Sequence, residues 1–117
     1  MAGAEIVSRS YRFGVSIVKL CLHFPKSSVG FSLAGQLVRS GTSVGANVEE
    51  AQDAMSRADF LKCMNISLKE ARETNYWLRI SVDSGVVGEK EIDEILGESK
   101  ELIKILTSIV RSTKFGR

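Results

Sequence analysis

The sequence predicts an all-α fold, an antiparallel up-down-up-down four-helix bundle forming a single domain over residues 1–117. Three observations point to it. The chain has one proline, Pro25, so nearly all of its backbone is free to be helical. Apolar residues step by three and four along four segments, a period that lets long helices pack side by side at shallow angles. The breaks between the segments are short, so successive helices are expected to run in opposite directions.

The first helix is expected over Glu5–Phe24, with Ile6, Phe13, Ile17, Leu20 and Phe24 on one seam and Ser10 filling its gap. The run Pro25 to Gly30 ends it, because proline disfavours helical backbone at the residue before it. The second helix is expected over Phe31–Met55, with the seam Ala34, Leu37, Gly41, Val44, Val48, Ala51 and Met55. Ser56 with Asp59 three residues on reads as an N-cap and capping box, opening a third helix over Arg57–Ser84. Its seam is Leu61, Met64, Leu68, Ala71, Asn75, Leu78 and Val82. Gly85 supplies a C-terminal glycine and Gly88 a small N-cap, after which Glu89, Glu91 and Asp93 suit the positive end of a helix dipole. The fourth helix, over Glu89–Thr113, places Ile92, Ile95, Ser99, Leu102, Leu106, Ile109 and Thr113 inward.

Composition excludes several functional classes. Apolar residues at 44% and charged residues at 26% describe a globular chain, not a disordered one. A net charge of +2 permits nucleic-acid contact without arguing for it. Cys21 and Cys63 stand in no CxxC spacing and read as packed thiols of a reduced, cytoplasmic protein. The apolar stretch Phe13–Phe24 is broken by Ser16, Lys19 and His23, and is too short to span a bilayer; nothing resembles a signal peptide. His23 has no acid three residues before it, so the Glu-x-x-His pairs of bundle metalloenzymes are missing, as are a P-loop and a nucleophile arrangement. Glu70 and Glu73 share a face beside Lys69 and Arg72, which reads as ordinary salt bridging. The expectation is no enzyme, no metal and no cofactor.

The residues left over after the core is filled are more informative. Val7, Tyr11, Val15, Val18 and Leu22 form a second apolar stripe on helix 1, and Ile66, Trp77 and Ile80 lie nearly opposite the seam of helix 3. These are either scattered surface hydrophobes or an interface between copies of the chain. Their extent favours an interface, because a bundle helix needs only a stripe of ~100° or somewhat more buried. In helix 2, Gly41 and Gly45 lie one turn apart. They present a flat strip for close packing, unless the helix bends there. Its other face aligns Gln36, Arg39, Ser43, Asn47 and Glu50, an interaction surface or a solvated polar face. Basic residues gather too. Arg9, Arg12 and Lys19 share one side of helix 1, while Lys100, Lys104 and Arg111 share one of helix 4, followed by Lys114 and Arg117. No acid follows Lys104. Antiparallel topology would bring Arg9, Arg12, Arg111, Lys114 and Arg117 to one end, as phosphate contacts or as solvated charge, with Glu49, Glu50 and Asp53 diluting the field.

Two segments carry a family resemblance. The first runs Gln36-Leu37-Val38-Arg39-Ser40-Gly41-Thr42-Ser43-Val44-Gly45-Ala46-Asn47-Val48-Glu49-Glu50. The second is Asp59-Phe60-Leu61 with Ser67-Leu68-Lys69-Glu70-Ala71-Arg72-Glu73-Thr74-Asn75-Tyr76-Trp77-Leu78. With the Phe24-Pro25 step, the chain resembles the bacterial four-helix-bundle family first noted as reading frames within 23S ribosomal RNA intervening sequences. It is also similar to the accessory proteins of diversity-generating retroelements. The resemblance implies an up-down bundle, a ring-like homo-oligomer that is typically a pentamer, and engagement of RNA or of an RNA-binding protein such as a reverse transcriptase. Arg39, Ser43, Asn47 and Glu50 fall on the motif, with no settled role. The expected function is a non-enzymatic oligomeric scaffold whose basic end, built from Arg9, Arg12, Lys104, Arg111, Lys114 and Arg117, contacts RNA or an RNA-bound protein. The alternative is a protein–protein module that binds no nucleic acid.

Overall fold

Pro25 ends the first helix sooner than its apolar seam suggests. The computed structural model describes residues 3–116, and its first helix, α1, spans Gly3–Cys21. Beyond it, His23 and Phe24 bond back to Leu20 and Cys21 in tight turns, both at 3.1 Å, so the chain leaves the helix while Phe24 stays in the core. The second helix starts earlier than expected, and α2 spans Ser28–Gln52. Ser27 is its N-cap, accepting a hydrogen bond from Gly30 N–H at 3.1 Å. Gly30 is required by this corner, since a Cβ there would overlap the Pro25 carbonyl. Ser56 caps α3, Arg57–Asp83, by accepting from Asp59 N–H at 3.1 Å, which is the Ser56 half of the expected box. Met55, expected on the seam of helix 2, falls in the connection between α2 and α3 and is 92% exposed. The early end of α2 at Gln52 takes it out of register with the core.

The link from α3 to α4, Glu89–Lys114, is closed at both sides. Gly85 adopts φ +81°, the left-handed conformation that glycine tolerates best. Gly85 N–H bonds to Val82 O at 3.1 Å and Val86 N–H to Ser81 O at 3.0 Å, the paired bonds of a Schellman turn. Val87 is thereby buried, which its spacing did not announce. Gly88 N–H donates to Glu91 Oε1 at 3.1 Å, so the acid at the third position of α4 caps its start.

The described residues are all-α, four helices with no strand, in a body of 45 × 20 × 19 Å. The helices meet in the cyclic order α1, α2, α3, α4, with α1–α4 the slightest contact and no Cα of α1 within 8 Å of one in α3. Ile17, Leu37, Val44, Val48, Met64, Leu78, Ile92, Leu102 and Leu106 are fully enclosed between them. Small polar residues fill the remaining inward positions: Ser10, Ser40, Ser67, Thr74, Ser81 and Ser99 are buried. Every buried side-chain polar atom among the described residues has a partner.

Contacts between neighbouring helices run in opposite numerical order. Along α1, Ser10 lies at Gly45, Gly14 at Thr42, Ile17 at Gly41 and Cys21 at Ala34. Between α2 and α3, Arg39 meets Glu73, Ser40 meets Thr74, Val44 meets Ser67 and Glu50 meets Cys63. Helix 2 runs unbroken through its glycines. A Cβ at Gly45 would sit 3.1 Å from Ser10 O, and one at Gly41 would sit 2.9 Å from Ile17 Cγ1. Close packing, not a bend, accounts for both.

Candidate interaction surfaces

The polar face of α2 is tied to α3, not simply solvated. Arg39 bonds Gln36 Oε1 at 3.4 Å on its own helix, then crosses to Glu70 Oε1 at 3.2 Å and to the Glu73 carboxylate. Glu73 also accepts from Trp77 Nε1 at 3.3 Å, so one carboxylate links the motif arginine to the single tryptophan. Glu70 and Glu73 therefore pair with Arg39, correcting the expectation that Lys69 and Arg72 would answer them. Ser43 Oγ donates to Arg39 O at 2.7 Å and Asn47 Nδ2 to Ser43 O at 2.8 Å, returning both side chains to their own helix. Glu50 lies 3.9 Å from Cys63 Sγ. Burial and the neighbouring Glu50 and Asp59 carboxylates push the Cys63 thiol up, which disfavours its thiolate.

Beneath this surface the seam continues in hydroxyls. Ser67 Oγ donates to Val44 O at 2.8 Å, and Thr74 Oγ1 lies 3.0 Å from Ser40 Oγ. On the far side of α3, Asn75 Nδ2 donates to Ser99 Oγ at 3.0 Å and so joins α4. Sequence reasoning missed Glu70, Glu73, Ser67 and Thr74 as partners of the motif. The signal was the register: in the order just described, Arg39 falls opposite two acids three residues apart.

The second apolar stripe of α1 faces outward. Tyr11 is 62% exposed and Leu22, in the turn just past α1, 70%, with Val15 and Val18 near 40% and Val7 packed partly into the core. Tyr11 and Val15 line a groove against α2 with Gly14, Thr42, Gly45 and Ala46. On α3, Ile66 and Ile80 are exposed, while Trp77 is half-buried against the core and meets Tyr76 edge-on at 5.1 Å.

The basic residues divide. Arg9 forms a two-pronged pair with Glu98 at 2.7 and 2.9 Å, which raises its pKa, and Arg12 bonds Ser8 Oγ. Both line a depression between α1 and α4 that also holds Glu94 and Glu98. Lys104 and Arg111 line a different one on α4, with Phe115. The tail gains a cation that the sequence did not suggest: the Arg57 guanidinium lies against Gly116, 3.5 Å from where a Cβ would stand. Arg117 lies outside the described residues. Among those residues no three His, Cys, Asp or Glu side chains gather to hold a metal ion, and no helix is long and apolar enough to cross a membrane.

Four helices with a polar seam between the middle two, and apolar faces turned outward on α1 and α3, define a helical-bundle protein with surface left over. The chain belongs to the 23S rRNA-intervening sequence protein family, whose family model matches residues 3–108. It is similar in structure to a protein of unknown function from the S23 ribosomal protein family of Bacteroides thetaiotaomicron, seen in a crystal structure. The TM-score is 0.88 at 39% identity, covering 95% of this chain and 99% of that one. Comparison with curated proteins found no match.

Proposed function

We propose that this chain is a non-enzymatic, self-assembling scaffold whose basic α4 end contacts RNA. One observation carries the assembly: exposed apolar side chains form a stripe on α1 and recur on α3, with Val29 and Phe31 exposed at the start of α2, and no Cα of α1 comes within 8 Å of one in α3. The opposed numbering of the α1–α2 and α2–α3 contacts supports an up-down-up-down bundle, in which α1 and α3 stand at opposite corners. Two different patches on opposite sides suit a heterologous contact, α1 of one copy on α3 of the next, which makes a ring where the rotation between copies closes. A pentamer is the ring that the family resemblance implies. Family membership and the acid-free cationic tail support RNA as the partner. The pairing of Arg9 with Glu98 supports the competing reading, a module for protein partners alone, because it removes one cation from the field.

Light scattering on the purified protein at micromolar concentration tests the first part, with a single multimeric mass expected; a monomer mass overturns it. Retardation of RNA at ~50 mM salt, weakening steeply as salt rises, tests the second. No retardation at that salt leaves the scaffold for protein partners.

A further inference from the structure

We infer that the depression on α4 between Lys104 and Phe115 takes single-stranded nucleic acid, with phosphates at Lys104 and Arg111 and a base against the Phe115 ring. This rests on the reading of the α4 end as an RNA contact. The depression is open to solvent and is lined from one segment alone, by Ile103, Lys104, Thr107, Ser108, Arg111, Ser112 and Phe115. Positions 104, 107, 108, 111, 112 and 115 recur every three or four residues, so they form one strip along the helix. At ~1.5 Å rise per residue, Lys104 and Arg111 stand about 10 Å apart along the axis and Phe115 about 6 Å further on.

The chemistry of the strip selects the ligand. Lys104 is 76% exposed, and its one carboxylate neighbour, Glu101, is 3.5 Å away and itself half-exposed, a pair weak enough for a phosphate to displace. Arg111 carries no ion pair among the described residues, and Lys114 and Arg57 add positive charge at the same end. The last turn of a helix favours these cations, so helix stability alone accounts for Arg111 and Lys114. It does not account for Phe115, an aromatic ring 63% exposed at the foot of a cationic strip. Cations that follow a backbone beside an exposed ring are the elements of single-strand binding, in which phosphates are neutralised and an unpaired base stacks. A duplex keeps its bases paired and offers the ring nothing, and the carboxylates of an acidic peptide use the cations alone.

Fluorescence anisotropy at ~50 mM salt, with a 12-nucleotide oligoadenylate, a blunt RNA duplex of equal length, adenosine monophosphate and polyglutamate as ligands, tests this. The single strand is expected to bind more tightly than the duplex. Phe115→Leu keeps the charge and the helix; it is expected to weaken single-strand binding about five-fold or more and to leave duplex binding unchanged. Lys104→Gln with Arg111→Gln should weaken both and flatten the single-strand salt slope by about 1.4. Equal binding of strand and duplex, with no effect of Phe115→Leu, overturns the inference and leaves the basic-end reading standing. No binding to either nucleic acid overturns both. Competition by the mononucleotide at concentrations matching the oligomer replaces the strand with a free nucleotide, and polyglutamate binding as tight as RNA replaces it with an acidic protein; either result overturns the assignment.

Discussion

Gly45 of α2 packs on the backbone of Ser10 in α1, close enough that a Cβ would stand 3.1 Å from the Ser10 carbonyl oxygen and 3.3 Å from the amide nitrogen of Tyr11. Ser10 Oγ turns back to Ile6 O at 2.7 Å, so a small side chain on one helix and no side chain on the other let the two approach. The two turns of α2 from Ser40 to Ala46, rich in poor helix formers, are tolerated because Gly41 and Gly45 lie on the packed seam.

Glycine substitutions should therefore split by position. Gly41→Ala must push into Ile17, which is fully buried, and Gly45→Ala into backbone that cannot rotate away. Overpacking of about 1–3 kcal/mol should outweigh the gain in helix propensity of about 1 kcal/mol. Gly97, with nothing within 4 Å of a new Cβ, should gain stability by about 1 kcal/mol as Gly97→Ala. Urea denaturation midpoints decide the matter; a stabilised Gly45→Ala would mean that α1 and α2 are looser than described.

Arg39→Ala should be small in stability and visible in spectroscopy. The arginine is half-exposed, so its pairs with Glu70 and Glu73 contribute up to about 1 kcal/mol. Without it, Glu73 is drawn toward solvent and releases Trp77 Nε1, so emission from the single tryptophan should shift. The same shift should appear in Glu73→Leu, which leaves Trp77 Nε1 no acceptor at that position, and an unchanged spectrum in both variants would break the link.

Cys21 should alkylate slowly, and faster with rising pH. Burial pushes its thiol up to about 11, so at pH 8 its thiolate is about one part in a thousand. Its folded pKa lies above the unfolded value of 9.0, so the stability it adds is complete below pH 9 and is lost as pH rises through about 11. Iodoacetamide labelling followed by mass spectrometry should show about a ten-fold rate increase per pH unit from pH 8 to 10. A rate already level at pH 9 would place the thiol near water.

Most of the fold was legible because the bundle's period and its punctuation agree. Ile6, Phe13, Ile17 and Leu20 on α1, and Ile92, Leu102 and Leu106 on α4, fell on seams that the spacing alone marks. The misses sit at the ends. Pro25 to Gly30 has the composition of one break and hides Ser27, yet a serine three residues before a helical amide is itself a cap. The periodicity of helix 2 carries Met55 inward only if it runs past the point where Ser56 takes extended backbone for its own cap. The polar seam was half legible. Arg39, Ser43, Asn47 and Glu50 stood out on one face, but a single helix cannot show which neighbour answers it. Glu73 and Thr74 become partners only once α2 and α3 are set in register.

The outward stripe on α1 gives the sharpest test of assembly. Tyr11 and Leu22 are its two most exposed members and lie eleven residues apart, so replacing both with Glu places charge near each end of the stripe while leaving Phe13, Ile17 and Leu20 in the core. Helicity and urea midpoint at low concentration should be close to the parent, since little buried area is lost within one chain. The mass by light scattering should fall to about 12.8 kDa. Ile66→Glu should do the same from the α3 side. Trp77→Glu should also unfold more easily, because that ring packs partly on the core and bonds Glu73. Met55→Glu, in the exposed connection between α2 and α3 and on neither stripe, is the control and should keep the parent mass. If Tyr11→Glu with Leu22→Glu stays assembled while Ile66→Glu does not, α3 meets a surface other than the α1 stripe, and the heterologous ring built on that pair is wrong.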